Sequence, residues 1–150
     1  MDGTQEYETI LVEKQGQVDW VSLNRPEALN AINTPMATDL RDYFGSLYEN
    51  DDTRIVVLRG EGRAFCAGLD IKQVGAGEHA APFGGGMGFQ GYLAEAYIRM
   101  RRCPQPIISL IHGPACGGGF AFALASDIRI AGESARMNAA FIRIGLSACD

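Results

Sequence analysis

Residues 115–127 read Ala-Cys-Gly-Gly-Gly-Phe-Ala-Phe-Ala-Leu-Ala-Ser-Asp and follow a β-prone run, Ile107-Ile-Ser-Leu-Ile111. Three glycines between a strand and an apolar, alanine-rich helix indicate that another group approaches this backbone closely. The first turn after the glycines, Phe120-Ala-Phe122, contains no acid, base or nucleophile. Any chemistry at this segment therefore depends on its backbone groups.

The spacing of the glycines excludes two of the four interpretations that we consider. A phosphate-binding P-loop also needs Lys followed by Ser or Thr, and a dinucleotide-binding turn needs Gly-x-Gly-x-x-Gly; neither is present. Two interpretations remain open. Either the glycines let the helix pack tightly on a strand, or free N–H groups at the helix start stabilise a carbonyl oxygen that gains negative charge.

Composition limits the class of partner. The chain has 150 residues, of which 47% are hydrophobic, and this is typical of a single domain with its own hydrophobic core. Its net charge of −5 and dispersed basic residues argue against nucleic acid, and no apolar run reaches the ~18 residues that span a bilayer. The four cysteines have no metal-ligand spacing, which predicts a protein without a metal site whose thiols stay reduced. The N-terminus is polar and has no leader pattern, so we expect the protein in the cytoplasm.

Hydrophobic patterns predict an α/β fold with crossover connections, because strands alternate with helices along the chain. The predicted elements are a hairpin of 7–13 and 18–23, a helix over 35–48 with Thr34 as N-cap, a strand over 54–59, a helix from about Tyr92 to 102, a strand over 107–111, a short helix after the glycines and a strand over 128–131.

Residues 75–91 contain seven glycines in seventeen positions. So many glycines disfavour both helix and strand, so we predict a mobile loop here. Such a loop is either a tolerated surface insertion or a lid over a pocket, and both interpretations stay open.

A second loop provides a partner for the glycines. It reads Arg63-Ala-Phe-Cys-Ala-Gly-Leu-Asp-Ile-Lys72 and follows the predicted strand 54–59, as the glycines follow the strand 107–111. Because ligand sites in open α/β sheets form at the carboxyl ends of strands, both loops could border one crevice.

These two loops, with Leu23-Asn-Arg-Pro-Glu-Ala-Leu-Asn-Ala-Ile32 upstream, resemble the enoyl-CoA hydratase/isomerase family, also called the crotonase superfamily. The resemblance covers about residues 7–150. It implies a spiral of ββα units that binds an acyl-CoA thioester and stabilises its enolate. It also implies a homo-oligomer, a trimer or hexamer, with no cofactor because coenzyme A enters as part of the substrate.

The resemblance also implies site residues. The backbone N–H groups of Leu69 and Gly118 would be the two oxyanion donors, and Gly68 would permit the turn that exposes the Leu69 amide. The positions that would line the coenzyme A arm and adenine are Ala28, Ala67, Asp70 and Ile71.

Two positions depart from the hydratases of this family, which place catalytic glutamates where this chain has Ala121 and Phe141. Each general acid or base is worth roughly 10²- to 10⁴-fold in rate, so their joint absence favours isomerisation or another atypical reaction over hydration. A non-catalytic acyl-CoA-binding or assembly subunit is the alternative.

One carboxylate follows the Gly-Leu turn near the site: Asp150, in Gly145-Leu-Ser-Ala-Cys-Asp150. An aspartate shortly after such a turn is catalytic in the dienoyl-CoA isomerase branch of the family, although the spacing here is one residue longer. It therefore either moves a proton or is an ordinary aspartate. Since family members run well beyond 200 residues, we expect this chain to be the N-terminal part of the acyl-CoA-binding domain, without its C-terminal helices.

Overall fold

The computed structural model describes residues 6–72 and 85–144, with the side chains of 85–87 and 144 excepted. Within these residues the fold is α/β, as predicted. The strands are β1 Ile10–Gln15, β2 Val18–Leu23, β3 Ile55–Gly60, β4 Ile107–Ile111, β5 Pro114–Cys116, β6 Ile128–Ala131 and β7 Arg136–Asn138. The helices are α1 Thr34–Ser46, α2 Gly85–Arg102 and α3 Gly118–Ala125, with short 3-10 turns at Pro26–Ala28, Leu47–Glu49 and Ala140–Ile144.

The main sheet has the strand order β1-β2-β3-β4-β6. Strands β1 and β2 form the predicted antiparallel hairpin, whose turn contains Gly16 at φ 62°. Strands β2, β3, β4 and β6 run parallel, because each is reached from the one before it through a crossover connection. Their carboxyl ends therefore lie at the same edge of the sheet.

Short segments that follow the parallel strands pair in a second layer. Strand β5 pairs with β7, and single parallel bridges join Cys66 to Ala115 and Ile32 to Leu69. A long strand, a short strand and a helix thus recur along the chain, which is the predicted spiral of ββα units. The sequence patterns missed β5 and β7, because strands of three residues carry no usable periodicity.

Helix α1 begins one residue earlier than predicted. Asn33, not Thr34, is the N-cap, because the Asn33 side-chain oxygen accepts a hydrogen bond from the N–H of Met36. Pro35 lies in the first turn, where its missing N–H costs nothing. The buried face of the helix is formed by Met36, Ala37, Leu40, Tyr43 and Phe44.

Helix α2 begins at Gly85, seven residues before the predicted start at Tyr92, so the predicted loop is wrong for residues 85–91. The reason is tertiary packing: Phe89 and Leu93 are each 2% exposed and lie in the same core as α1. Burial of such side chains offsets the low helix propensity of the glycines. The rest of the predicted loop, residues 75–84, lies outside the described residues.

The core lies between the main sheet and the helices and includes Leu23, Leu58, Phe65 and Phe122, none of which is exposed. Contacts between α1 and α2 include a hydrogen bond between the Thr38 and Tyr92 hydroxyls. Among the described residues, no helix is both long and apolar enough to cross a membrane.

Candidate active site

The loop after β3 is tied directly to β5. The N–H of Cys66 donates to the Pro114 carbonyl at 3.0 Å, and the Cys66 carbonyl accepts from the N–H of Cys116, also at 3.0 Å. Gly68 follows at φ +94°, and a Cβ there would lie 2.6 Å from the Cys116 carbonyl oxygen. A side chain at position 68 would therefore separate the two loops.

Leu69 is held by the residues on either side of it. The Gly68 carbonyl accepts from the N–H of Ile32 at 2.7 Å, and the N–H of Asp70 donates to the Ile32 carbonyl at 2.9 Å. In an extended segment, neighbouring residues direct their backbone groups to opposite sides, so the Leu69 N–H points away from Ile32. Among the described residues, that N–H donates no hydrogen bond.

The glycine triplet turns the chain from β5 into α3. Gly117 has φ +50°, and its N–H donates to the Asn138 carbonyl at 2.9 Å. Gly118 is the first residue of α3, so its N–H has no partner within the helix. Tyr97 donates its hydroxyl hydrogen to the Gly118 carbonyl at 3.1 Å, which fixes the start of the helix.

Two of the glycines also permit close packing. A Cβ at Gly119 would lie 2.2 Å from the Cys66 carbonyl oxygen, and one at Gly118 would lie 2.8 Å from both the Ile32 Cδ1 and the Tyr97 hydroxyl oxygen. The packing interpretation is therefore correct for these glycines. It is compatible with the oxyanion interpretation, because the close approach is what brings the second loop beside the start of α3.

Both loops border one cavity of about 120 Å³. It is lined by Ala67, Gly68, Leu69, Ile71, Gln90, Leu93, Gly117, Gly118, Ala140 and Phe141. Five residues predicted for the site, namely Ala67, Gly68, Leu69, Ile71 and Gly118, thus lie around the same space.

The remaining predicted binding residues lie elsewhere. Ala28 ends a 3-10 turn, and Asp70 is buried in an ion pair in which its Oδ2 lies 3.1 Å from an Arg25 guanidinium nitrogen. Neither is among the residues that line the cavity. Their contact with coenzyme A stays a prediction.

The two positions without glutamate differ in location. Phe141 lines the cavity, whereas Ala121 is buried in α3 and borders a surface depression with Tyr97 and Arg101. The described lining of the cavity contains no carboxylate. Asp150 lies outside the described residues.

Cys66 is close to both loops but is not a suitable nucleophile. It is fully buried, and burial raises the pKa of its thiol to about 12. The thiolate is the reactive form of cysteine, so this thiol is inert at neutral pH.

Asn30 is the main residue that sequence analysis missed. It has φ 54° and is fully buried, and its amide nitrogen donates to the carbonyls of Glu61 and Ala64, each at 2.9 Å. Its Oδ1 accepts from the N–H of Arg25 at 2.9 Å. Asn30 thus joins the upstream motif to the loop after β3, and the ease with which asparagine adopts positive φ was the available signal.

Gln90 was missed for a different reason. It lies in the glycine-rich segment that we predicted to be a loop, yet it is in α2 and lines the cavity. Propensity alone could not locate it, because the helix there depends on the burial of Phe89 and Leu93.

Comparison with known proteins gives a consistent result. The family described as enoyl-CoA hydratase/isomerase matches residues 13–149. A Mycobacterium bovis protein named "Probable enoyl-CoA hydratase echA12" is 34% identical over 145 residues, which are 94% of this chain and 51% of that protein. The 1,2-epoxyphenylacetyl-CoA isomerase of Escherichia coli is 34% identical over 139 residues, 93% of this chain and 53% of that protein.

A solved structure agrees. The crystal structure of an enoyl-CoA hydratase/carnithine racemase from Magnetospirillum magneticum has a TM-score of 0.83 and 30% identity, and the match covers 97% of this chain and 54% of that one. The chain thus spans about half the length of the curated relatives and the solved structure that it matches.

Proposed function

Because the chain belongs to the enoyl-CoA hydratase/isomerase family, we propose that its protein is an acyl-CoA enzyme in which the N–H groups of Leu69 and Gly118 bind the thioester oxygen while an enolate forms. One observation carries this proposal. Both residues border the same cavity, and their N–H groups donate no hydrogen bond within the described residues.

The chemistry follows from where the charge develops. Removal of a proton from the carbon beside a thioester moves negative charge onto the thioester oxygen. Two fixed N–H donors stabilise that charge, and loss of one such donor costs roughly 3 to 4 kcal/mol of barrier in enzymes. The Leu69 and Gly118 donors suit this role because neighbouring backbone hydrogen bonds and close packing hold both segments in place.

The reaction that we favour is double-bond isomerisation rather than hydration. Water addition by two glutamates is not available with Ala121 and Phe141 at their positions. Isomerisation needs one group that removes a proton and returns it at another carbon, and we assign this role to Asp150. A relative of the chain is named as an isomerase, although others are named as hydratases.

Binding of coenzyme A involves Ala28, Ala67, Gly68, Asp70 and Ile71 in this proposal. Ile71 is largely exposed beside the cavity, where it would contact the pantetheine arm. Coenzyme A enters as part of the substrate, and no separate cofactor is needed. We further propose a homo-oligomer in the cytoplasm, as expected from the sequence.

The alternative function is a non-catalytic acyl-CoA-binding subunit. It is favoured by the absence of a carboxylate from the described lining of the cavity. The two functions differ in one property, which is whether the protein labilises the α-proton of a bound thioester.

Incubation with 2-enoyl-, 3-enoyl- and dienoyl-CoA esters in deuterated water separates them. We expect deuterium at the α-carbon and migration of the double bond, with little hydration, by mass spectrometry and NMR. Binding without exchange in any ester would favour the non-catalytic subunit. Rapid hydration would contradict the preference for isomerisation.

Asp150→Asn tests the proton-transfer step. We expect turnover to fall by about 10²-fold or more with little change in acyl-CoA affinity, because the amide cannot accept the proton. An unchanged turnover would remove Asp150 from the mechanism.

A further inference from the structure

The side chain of Arg25 connects the two chain segments that pair beside Leu69. One guanidinium nitrogen donates to the Ala31 carbonyl, and the other donates to the Asp70 carboxylate at 3.1 Å. Ala31 comes directly before Ile32, which pairs with Leu69. Asp70 comes directly after Leu69. Arg25 therefore spans the pairing that orients the Leu69 N–H.

The ion pair of Arg25 and Asp70 is largely buried. Their side chains are only 15% and 11% exposed. The ion pair of Arg101 and Asp127 is more open, with side chains that are 59% and 46% exposed. Water weakens an exposed pair, whereas the loss of one partner from a buried pair leaves an uncompensated charge. The buried pair therefore restrains the chain beside Leu69 more strongly than a surface ion pair would.

The turn before Ile32 needs such a restraint. Leu29 and Asn30 both have φ 54°, a conformation that is rare for residues other than glycine and especially for a bulky one such as leucine. The Arg25 N–H donates to the Asn30 side-chain oxygen at 2.9 Å, and its guanidinium binds the carbonyl of Ala31 in the same turn. Arg25 thus holds the turn through both its backbone and its side chain.

The contact depends on the shape of arginine. Its two acceptors bind different nitrogens of one planar guanidinium, which fixes the direction of each hydrogen bond. A lysine ammonium carries the same charge but is a single point on a flexible stem. Arg25 is absent from the described lining of the cavity, so any effect that it has on a substrate passes through the backbone that it holds.

We propose that Arg25 is a positioning residue, whose two contacts hold the Leu69 N–H in the direction that a thioester oxygen requires. The inference rests on the proposed function, since that function gives the Leu69 N–H its role. Alignment matters because a displacement of about 1 Å at a reacting group can lower the rate by about 10²-fold. The Gly118 N–H belongs to another segment and does not depend on Arg25.

Amide chemical shifts of the ¹⁵N-labelled protein test this role with Arg25→Lys. Its ammonium still compensates the buried charge of Asp70 but does not reproduce the two fixed hydrogen bonds. When butyryl-CoA is added, the downfield shift of the Leu69 amide proton should be largely lost, while the Gly118 amide proton keeps its wild-type shift. A wild-type shift at Leu69, or an equal loss at both amides, would overturn the inference.

Arg101→Lys is the matched control. Arg101 also donates to a backbone carbonyl and to a carboxylate, those of Ala125 and Asp127, each at 3.2 Å. It lies at the end of α2 and makes no hydrogen bond to the segments that pair beside Leu69. Both amides should therefore keep their wild-type shifts in this variant, and a loss at Leu69 equal to that in Arg25→Lys would contradict a specific role of Arg25.

The rate of α-proton exchange gives a second readout. We expect Arg25→Ala to exchange the α-proton of a 3-enoyl-CoA ester about 10²-fold more slowly than the wild type. Calorimetric titration should show a much smaller change in acyl-CoA affinity, because the side chain does not line the cavity. A merely structural role predicts that rate and affinity fall together, and that result would count against the inference.

The outcomes separate this inference from the proposed function. If butyryl-CoA shifts both amides of the wild-type protein and the shifts persist in the Arg25 variants, the role of Arg25 is wrong and the oxyanion site stands. If butyryl-CoA shifts neither amide of the wild-type protein, the proposed function is wrong and the inference falls with it.

Discussion

The sequence has one glycine cluster at Gly117–Gly119 and another within residues 85–91, and Gly119 of the first differs from Gly91 of the second in what surrounds it. A Cβ at Gly119 would lie 2.2 Å from the Cys66 carbonyl oxygen, whereas a Cβ at Gly91 would meet nothing within 4 Å. The first cluster brings two chain segments together. In the second cluster, Gly91 lies within the first two turns of α2, where the space around it is open.

The comparison teaches that glycine content does not identify a site. Both clusters look similar in the sequence, but only the packing of neighbouring backbone distinguishes them. At the triplet, the absence of side chains is what allows the loop of Cys66 and Gly68 to lie against the start of α3. The assembled cavity depends on that contact.

Gly119→Ala should have the largest effect. The added methyl group must displace backbone at Cys66, because the carbonyl oxygen there cannot rotate away. We expect the free energy of unfolding to fall by about 3 kcal/mol and acyl-CoA affinity to fall more than tenfold. Chemical denaturation and calorimetric titration measure the two effects, and wild-type values for both would show that the close packing is not required.

Gly68→Ala should have the next largest effect. Position 68 has φ +94°, and its Cβ would lie 2.6 Å from the Cys116 carbonyl oxygen. We expect a loss of about 2 kcal/mol in the free energy of unfolding, from the strained backbone and this contact. Because the Leu69 N–H would also be displaced, turnover should fall more than stability alone explains. Denaturation and kinetics on the same preparation check this, and unchanged turnover would separate Gly68 from the site.

The buried Cys66 beside the triplet should make stability sensitive to high pH. Burial raises the pKa of its thiol to about 12 from an ordinary value of 9.0, so above pH 9 the unfolded chain loses this proton and the folded chain keeps it. Stability should therefore fall by up to about 1.4 kcal/mol per pH unit between pH 9 and pH 12. Denaturation curves should show a weaker fall over pH 9 to 10 in Cys66→Ala, and equal slopes would contradict the burial of this thiol.

Gly91→Ala should have the smallest effect and the opposite sign. Alanine has the higher helix propensity, and the new methyl group meets nothing within 4 Å. We expect a gain of about 0.5 to 1 kcal/mol in the free energy of unfolding, with unchanged acyl-CoA affinity. A loss comparable with that of Gly119→Ala would remove the distinction between the two clusters.

Much of the fold was predictable from local pattern. The hairpin, α1 and the strands at 107–111 and 128–131 follow from periodicity, β-branched content and capping, since each of these signals is local in sequence. The start of α2 was not predictable, because it depends on the burial of Phe89 against elements distant in the chain. The same limit applies to β7, which forms because it pairs with β5.

The candidate site was predictable in part. The two loops followed from motif resemblance and from their places after parallel strands. The contacts of Asn30 and the position of Gln90 were not, since both depend on tertiary packing. For the same reason, the sequence could not decide whether the triplet serves packing or hydrogen-bond donation, and the structure establishes the packing.

The most direct test of the account is the behaviour of two backbone amides. We would follow the ¹⁵N-labelled protein by NMR while adding butyryl-CoA, and separately S-butyl-CoA, a thioether that lacks the carbonyl oxygen. The account predicts that the amide protons of Leu69 and Gly118 shift downfield with the thioester and much less with the thioether, because only the thioester offers an acceptor. Equal shifts with both compounds, or no shift at these two amides, would contradict it.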